Sequence, residues 1–495
     1  MSRLLIKHKF GLLFILACLS LWWIATIPFS ILPDSADHWV WSRKFFIGFV
    51  EHPPFIAWYL SFFDVLIPNS VIAIKTASFI SWGLSYVMLY WAANIYLGEK
   101  NQALATIILI LSSPYFFAVP FFVSVSSCMF LFYSMYMVCI AKFFRSEHKE
   151  KWILIIGVVI GFALLSKLKA LFYFVPLYGI ILLYKKHWRL FTTWQLYLAP
   201  IISLIILSPY LIFNYMNDWI SFRYQINRGF GGEIGINLRH LYTFLSGQVF
   251  AYGLLATVFL LWFFSKKSYW KKYLQNDEYC FWGLFFFLPI IGFTYTTTSG
   301  GMIDIQWVNT SYTSAFFFLS QQLFSRYSRK KIFYILSSNA VINGILLGIL
   351  YFFLIFGPPT SVNIPVNSQI YYLTGWDESG RQASELIHDT AQRPADYIVV
   401  RKYDIAGSYS LYMEGNPFPY TEEKTERNLW TPVEELQNPA KLVAALCEPD
   451  ECKDLVKFTQ EASGRELKYI GEFQTKHPIT ESPIRHYKIY ITNAE

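Results

Sequence analysis

The sequence predicts a helical protein that crosses a membrane many times and ends in a small soluble α/β domain. Three observations lead there. The 495 residues are 55% hydrophobic and only 15% charged, about eleven long apolar stretches recur before residue 357, and the charge balance inverts after that point. A soluble domain seldom pairs so little charge with so much apolar content.

A spanning helix needs roughly 20 apolar residues. Candidate spans lie near 10–32, 70–97, 102–120, 126–143, 152–167, 170–184, 195–214, 246–264, 279–296, 305–324 and 332–356. The stretches 152–167 and 170–184 are short and meet at Ser166-Lys167-Leu168-Lys169, so a hairpin that stops short of a full crossing also fits them. The first stretch follows basic residues as a secretory leader does. It runs about 23 residues, however, and ends at Pro33-Asp34 with no small-x-small cleavage site, which reads as a retained anchor. Lys and Arg set the orientation. With residues 1–9 cytoplasmic, the inner loops carry 19 of them and the opposite face 8, among them Arg43, Lys75, Lys167, Lys169, Arg223 and Arg228. This bias places the loop after the first span, the 215–245 loop and the C-terminal tail outside.

Residues 1–357 hold 27 basic and 12 acidic side chains, whereas residues 358–495 hold 14 and 21, so the overall +8 averages two unlike parts. The basic excess of the first part follows membrane topology and carries no nucleic-acid signal. We therefore read 1–357 as a multispanning domain and 358–495 as a soluble domain. In the tail, 377–390 is amphipathic with helical period, Tyr397–Val400 is a short apolar strand, and 485–492 alternates as a strand does. Cys18, Cys128, Cys139 and Cys280 fall in or beside spans, where a small apolar role is the default. Cys447 and Cys452 form a small disulfide loop if the tail lies in an oxidising compartment, and two free thiols if it does not.

The loop after the first span gathers acids, imidazoles and prolines: Asp34-Ser35-Ala36-Asp37-His38-Trp39, then Glu51-His52-Pro53-Pro54. Charge near a bilayer is costly, and where it gathers it marks a working site. Asp34 after Pro33 suits a helix N-cap with Asp37 in a capping box. It equally suits a carboxylate that takes a proton from an acceptor hydroxyl. Trp39, Trp41, Phe45, Phe46 and Phe49, interleaved with Arg43 and Lys44, read as an interfacial amphipathic helix. Glu51 and His52 are the candidates for a divalent metal, although adjacent side chains seldom converge on one ion without further ligands. Tyr210, Tyr215, Trp219 and Tyr224 suit the lining of a lipid-sugar cavity and, equally, interfacial anchoring.

These residues resemble the first periplasmic loop of the bacterial GT-C glycosyltransferases, which include lipid A aminoarabinose transferases, galacturonosyl transferases of lipopolysaccharide core and, more distantly, protein O-mannosyltransferases. Further matches follow in order: Leu165-Ser166-Lys167 through Leu171, Ser208-Pro209, Asn214, Asp218-Trp219 through Gln225, Gly247-Gln248, Trp307, Gly375-Trp376, Arg401 to Tyr403, and Tyr409 with Tyr412. The resemblance implies a GT-C fold in the bacterial inner membrane. It also implies an enzyme that moves a sugar from a polyprenyl-phosphate carrier to lipid A, lipopolysaccharide or another periplasmic acceptor. Carried over, Asp34 is the catalytic carboxylate with Asp37 near it. Lys167, Arg223 and Arg228 are the donor-phosphate cations, and Glu51, His52 and Trp39 are loop and substrate residues. Lys167 is favoured among the cations because it sits on the family's Ser-Lys turn; as a bare lysine at a helix end it would simply snorkel.

The chain departs from the family pattern at Ser35 and Ser126, where acids are usual, and at Arg228, where a histidine is common. Those departures support a second reading, a non-catalytic relative that binds polyprenyl-linked sugar or lipopolysaccharide. A transporter or flippase is the third reading, disfavoured because no inverted repeat is evident and few ionisable residues fall at mid-membrane depth. The tail reads as a cap over the outer loops in preference to an acceptor-recognition surface, because nothing in it suggests chemistry.

Overall fold

A computed structural model describes residues 2–230, 238–266, 274–298, 305–356, 372–423, 428, 431–477, 481 and 483–493. The membrane part is built of α1 (Ser2–Ala25), α2 (Pro33–Ser42), α3 (Phe55–Leu66), α4 (Ser70–Leu97), α5 (Lys100–Leu111), α6 (Pro114–Ala118), α7 (Val125–Arg145), α8 (Lys149–Ser166), α9 (Phe174–Leu183), α10 (Trp194–Met216), α11 (Ile220–Phe230), α12 (Leu238–Tyr252), α13 (Leu254–Phe264), α14 (Asp277–Thr298), α15 (Asn309–Arg326) and α16 (Arg329–Phe356). All eleven apolar stretches are largely helical, but they are not eleven straight spans. Among the described residues, five helices are long and apolar enough to cross a membrane, or up to eight if each bent pair counts as one span. The breaks have local causes. Pro114 opens α6 after a bend of 80°, and Gly253, at φ +95°, separates α12 from α13 by 107°. Residues 168–183 turn by 109° into 185–192, so the sharp bend of the stretch near 170–184 lies at Tyr184, at its end far from the Ser166–Lys169 turn.

Aromatic side chains fill the bundle: Trp22, Trp82, Tyr86, Phe116, Tyr133, Tyr136 and Tyr252 are all buried. Gly157 lets α8 approach α10 so closely that a β-carbon there would lie 2.5 Å from the Ala199 carbonyl oxygen, and Ser203 Oγ donates to the Gly157 carbonyl at 2.5 Å. Small residues and a hydroxyl at the crossing are the usual means of helix packing in lipid.

The loops assigned to each side make two separate sets of contacts. On the side assigned inward, Arg145 grips Glu278 (2.5 Å), Lys186 and His187 both meet Asp277 (2.7 and 2.6 Å), and Arg329 meets Glu99 (3.3 Å). On the side assigned outward, Lys75 Nζ donates to the Thr26 and Phe29 carbonyls (3.0 and 3.2 Å), Lys169 Nζ to Trp307 O (3.1 Å), and Ser221 Oγ to Phe49 O (3.0 Å). Loops that Lys/Arg counting puts together are bonded together.

The tail adds α17 (Trp376–Ala391), β1 (Tyr397–Val400), α18 (Tyr403–Tyr412), β2 (Phe418–Thr421), α19 (Val433–Gln437), β3 (Val443–Cys447), α20 (Cys452–Ser463), β4 (Leu467–Lys476) and β5 (Pro483–Thr492). The sheet order is β2-β1-β3-β5-β4, with β1 parallel to β2 and β3, and β5 antiparallel to β3 and β4. The three stretches read from sequence correspond to α17, β1 and β5. The Gly357-Pro358-Pro359 boundary lies outside the described residues. Of the two states open to Cys447 and Cys452, the structure shows the disulfide, with Cα atoms 5.0 Å apart. A six-residue loop closed this way stabilises by about 2 kcal/mol on chain-entropy grounds. Cys447→Ser with Cys452→Ser is therefore expected to lower the midpoint of tail unfolding in a thermal melt. Adding reductant to the wild type should reproduce that shift and leave the double variant unmoved.

Candidate active site on the outer face

The acid-bearing loop folds into α2, but not as a capping box. Pro33 occupies the first turn, with its fixed φ suited to that position. Leu32, at φ −61° and ψ 143°, is the N-cap. Asp34 thus falls inside the first turn with its side chain exposed, where a carboxylate is favoured by the helix dipole. Asp37 lies nearly one turn on and is half-buried. The helix ends at Ser42, so the expected interfacial helix through Phe49 does not form. Residues 43–54 instead run irregularly, with Gly48 pressed against the Phe213 ring, 2.5 Å from where a β-carbon would stand. Trp41 stacks on Phe49 (4.5 Å) and both are buried, which leaves Phe45 exposed. Trp39, expected at the substrate, is 2% exposed and donates from Nε1 to Asp64 Oδ1 at 3.1 Å; it anchors α2 to α3.

Three contacts tie α2 and its loop to their surroundings. Ser35, standing where relatives carry an acid, is buried and donates from Oγ to Val123 O at 2.8 Å. That fixes α2 to the segment leading into α7, whose start is a capping box of Ser124 and Ser127. One residue inside that cap, Ser126 Oγ accepts from Lys167 Nζ at 3.2 Å, and the Lys167 ammonium lies 5.7 Å from the Trp307 ring centroid. So Ser35 and Lys167 meet the same short segment, 123–126, from two directions. The third contact is on Glu51: its carboxylate accepts from the Tyr224 hydroxyl, and its carbonyl accepts from Gln225 Nε2 at 2.6 Å, which holds α11 against the loop. Arg223 lies on α11 and is exposed, whereas the side chain of Arg228 falls outside the described residues. His52 is half-buried, and its carbonyl accepts from Phe49 N at 3.2 Å. Among the described residues no three His, Cys, Asp or Glu side chains gather as a metal would need, and Glu51 is bonded to Tyr224.

The tail lies directly on α2. Gly407 of α18 packs so tightly that a β-carbon would sit 2.4 Å from Asp37 N. The Tyr412 hydroxyl accepts from Ile31 N at 2.7 Å, Ser30 N donates to Leu373 O at 2.9 Å, and Leu411 joins the cluster around Ala36, Trp39 and Val40. At the other end Arg43 lies 3.8 Å from the Phe418 ring, 5.1 Å from Trp39, and 3.2 Å from Ser410 Oγ. Burial draws the Arg43 guanidinium down to about 10, against the opposing pull of Asp64, and it stays cationic at neutral pH. This is the cap expected of the tail.

A multispanning helical layer, an acidic helix on its outer face and a sheet domain seated over that helix make up a GT-C architecture. The comparisons agree. Residues 51–213 match the dolichyl-phosphate-mannose-protein mannosyltransferase family. Over 263 residues the chain is 25% identical to the lipid A galacturonosyltransferase RgtD of Rhizobium johnstonii, covering 51% of this chain and 53% of that protein. The chain thus spans about half the length of the curated relative it matches. Along 99% of both chains it shares the fold of ArnT from Cupriavidus metallidurans, solved bound to undecaprenyl phosphate, with a TM-score of 0.65 at 13% identity. It also shares the fold of the Archaeoglobus fulgidus oligosaccharyltransferase, with a TM-score of 0.53 at 10% identity over 95% of this chain and 73% of that one. The chain resembles the GT-C glycosyltransferases in sequence motifs and has their fold.

Proposed function

We propose that the protein is an inner-membrane glycosyltransferase that moves a sugar from a polyprenyl-phosphate carrier to a periplasm-facing acceptor, lipid A or lipopolysaccharide core. The observation that carries the reading is the outer-face assembly itself. An exposed carboxylate, Asp34, tops a helix fixed through Ser35 to the same segment that Lys167 meets through Ser126. In this reading an acceptor oxygen attacks the anomeric carbon, the bond to the carrier phosphate breaks, and the phosphate leaves with the electron pair. Asp34 receives the proton of a hydroxyl acceptor, and Lys167 and Arg223 offset the charge growing on the phosphate. An acceptor phosphate is already anionic, and Asp34 then orients it without taking a proton. The crevice lined by Lys169, Phe172, Pro176, Leu288, Phe293 and Trp307 offers apolar walls for prenyl units beside that cation. The Cys447–Cys452 disulfide and the Lys/Arg bias both support a periplasmic outer face.

The test is the lipopolysaccharide mass spectrum of the parent strain, a deletion strain, and the deletion carrying the wild-type chain. A mass increment lost on deletion and restored by the wild-type chain is the expected result, and its size identifies the sugar. An unchanged spectrum removes lipopolysaccharide as the acceptor.

A further inference from the structure

We infer that the tail does more than cover the outer face: it sets the position of the reacting carboxylate, with Tyr412, Gly407 and Arg43 as positioning residues that hold α2 at its entry, its middle and its exit. The inference rests on the function proposed above and extends it to residues that touch no reacting group.

The three contacts fall along a helix of only ten residues. At its entry, the first N–H groups of a helix have no intrahelical partner, and the approach to the helix is set by whatever fixes the chain just before it. Leu32 gives no side-chain cap, so here the chain is fixed by the Tyr412 hydroxyl accepting from Ile31 N, three residues before Asp34. In the middle, Gly407 brings the backbone of α18 against Ala36 and Asp37 at a separation no other residue permits. Gly in a helix interior is locally unfavourable, so a helix that carries one at its contact point gains from closeness what it loses in propensity. At the exit, Arg43 follows Ser42, and its guanidinium is shared between Trp39 of the helix and Phe418 and Ser410 of the tail.

These holds act on the helix whose first turn carries the exposed Asp34, so a shift of the helix shifts the backbone of that residue. Transfer chemistry is steep in geometry, and a displacement of about 1 Å costs roughly a hundredfold in rate. A purely protective cap would need none of these bonds to meet α2; it would need only to exclude water above it. Beside the apolar contact of Leu411, the tail meets α2 through a hydroxyl, a guanidinium and a glycine, which locate a part and do more than shield a surface.

The experiment uses the full chain in lipid nanodiscs and in the complemented deletion strain, with Tyr412→Phe as the gentle variant, Gly407→Val as the severe one and Arg43→Met as the third. Tyr412→Phe keeps the ring and removes the hydroxyl that accepts from Ile31 N and meets Ser30 at the same entry to α2. The expected result is faster amide exchange across residues 31–37, a thermal midpoint and undecaprenyl-phosphate affinity close to wild type, and a lipopolysaccharide mass increment that accumulates roughly 10- to 100-fold more slowly. Unchanged exchange across 31–37 in all three variants overturns the inference. So does a loss of transfer that merely follows a lowered thermal midpoint or weakened binding of undecaprenyl phosphate. If the wild-type chain itself adds no mass increment, it is the proposed function that fails, and the exchange measurement still decides whether the tail positions α2.

Discussion

Asp34→Asn is expected to slow sugar transfer roughly 10²- to 10⁴-fold, the range a positioned general base contributes. The substitution is nearly isosteric and the side chain is exposed, so packing around Ser35 and Ala36 is undisturbed. The lost interaction between the carboxylate and the first turn of α2 is worth only about 0.3–1 kcal/mol. Stability and chemistry therefore separate cleanly: the thermal midpoint should barely move while the lipopolysaccharide mass increment disappears. Asp37→Asn, at the half-buried position nearly one turn on, should cost much less. The size of the Asp34 effect also bears on the acceptor. A hydroxyl must lose its proton during attack and needs the full base, whereas a phosphate oxygen needs only orientation and should show a smaller loss. Full rescue of the deletion strain by Asp34→Asn removes this carboxylate from the mechanism and moves the non-catalytic reading forward.

What the sequence made legible follows from which forces are local. Apolar runs report the transfer of segments into lipid, so the helices could be read directly, and Lys/Arg bias groups loops that do touch one another. The Arg145–Glu278 and Lys169–Trp307 contacts then fall on the two sides as assigned. The four-residue apolar strand at Tyr397–Val400 and the 16-residue amphipathic helix of the tail carry their signals locally and are equally plain. The bends were not, because a run through Ser112-Ser113-Pro114 or Gly253 stays apolar while its axis turns. Around the site, Asp34 suits an N-cap and a catalytic carboxylate alike by residue preference; in the structure Pro33 with the extended Leu32 starts the helix one step earlier and places Asp34 inside its first turn. Trp39 and Trp41 were read as headgroup anchors because indoles favour interfaces. They are buried among α3, Phe49 and, from the tail more than 360 residues away in sequence, Leu411. No window along the chain contains that contact. Gly407 was the one local sign of it, a glycine inside a helical stretch that has no turn to make.

Lys167→Met is expected to raise the apparent Kd for undecaprenyl phosphate roughly 10- to 100-fold, because hydrogen bonds to charged groups contribute about 1.5–3 kcal/mol each. Ser126 Oγ is a neutral partner for the ammonium at 3.2 Å and Trp307 presents a ring face at 5.7 Å. An aspartate at position 126 would pair with the ammonium and compete with an incoming phosphate, whereas a serine leaves the positive charge uncancelled by that side chain. Ser126 thus need not mark lost function; at this position a hydroxyl orients the cation that an acid would neutralise. Lys167→Arg keeps the charge and should retain most of the affinity, which separates charge from the packing of the aliphatic stem against Trp307. Binding is read by titrating the full chain in nanodiscs with undecaprenyl phosphate at two salt concentrations. Wild type should weaken with salt and Lys167→Met should respond less. An unchanged Kd in Lys167→Met assigns the lysine to snorkelling at the end of α8, and the phosphate would then have to be met by Arg223 or by another cation of the outer face.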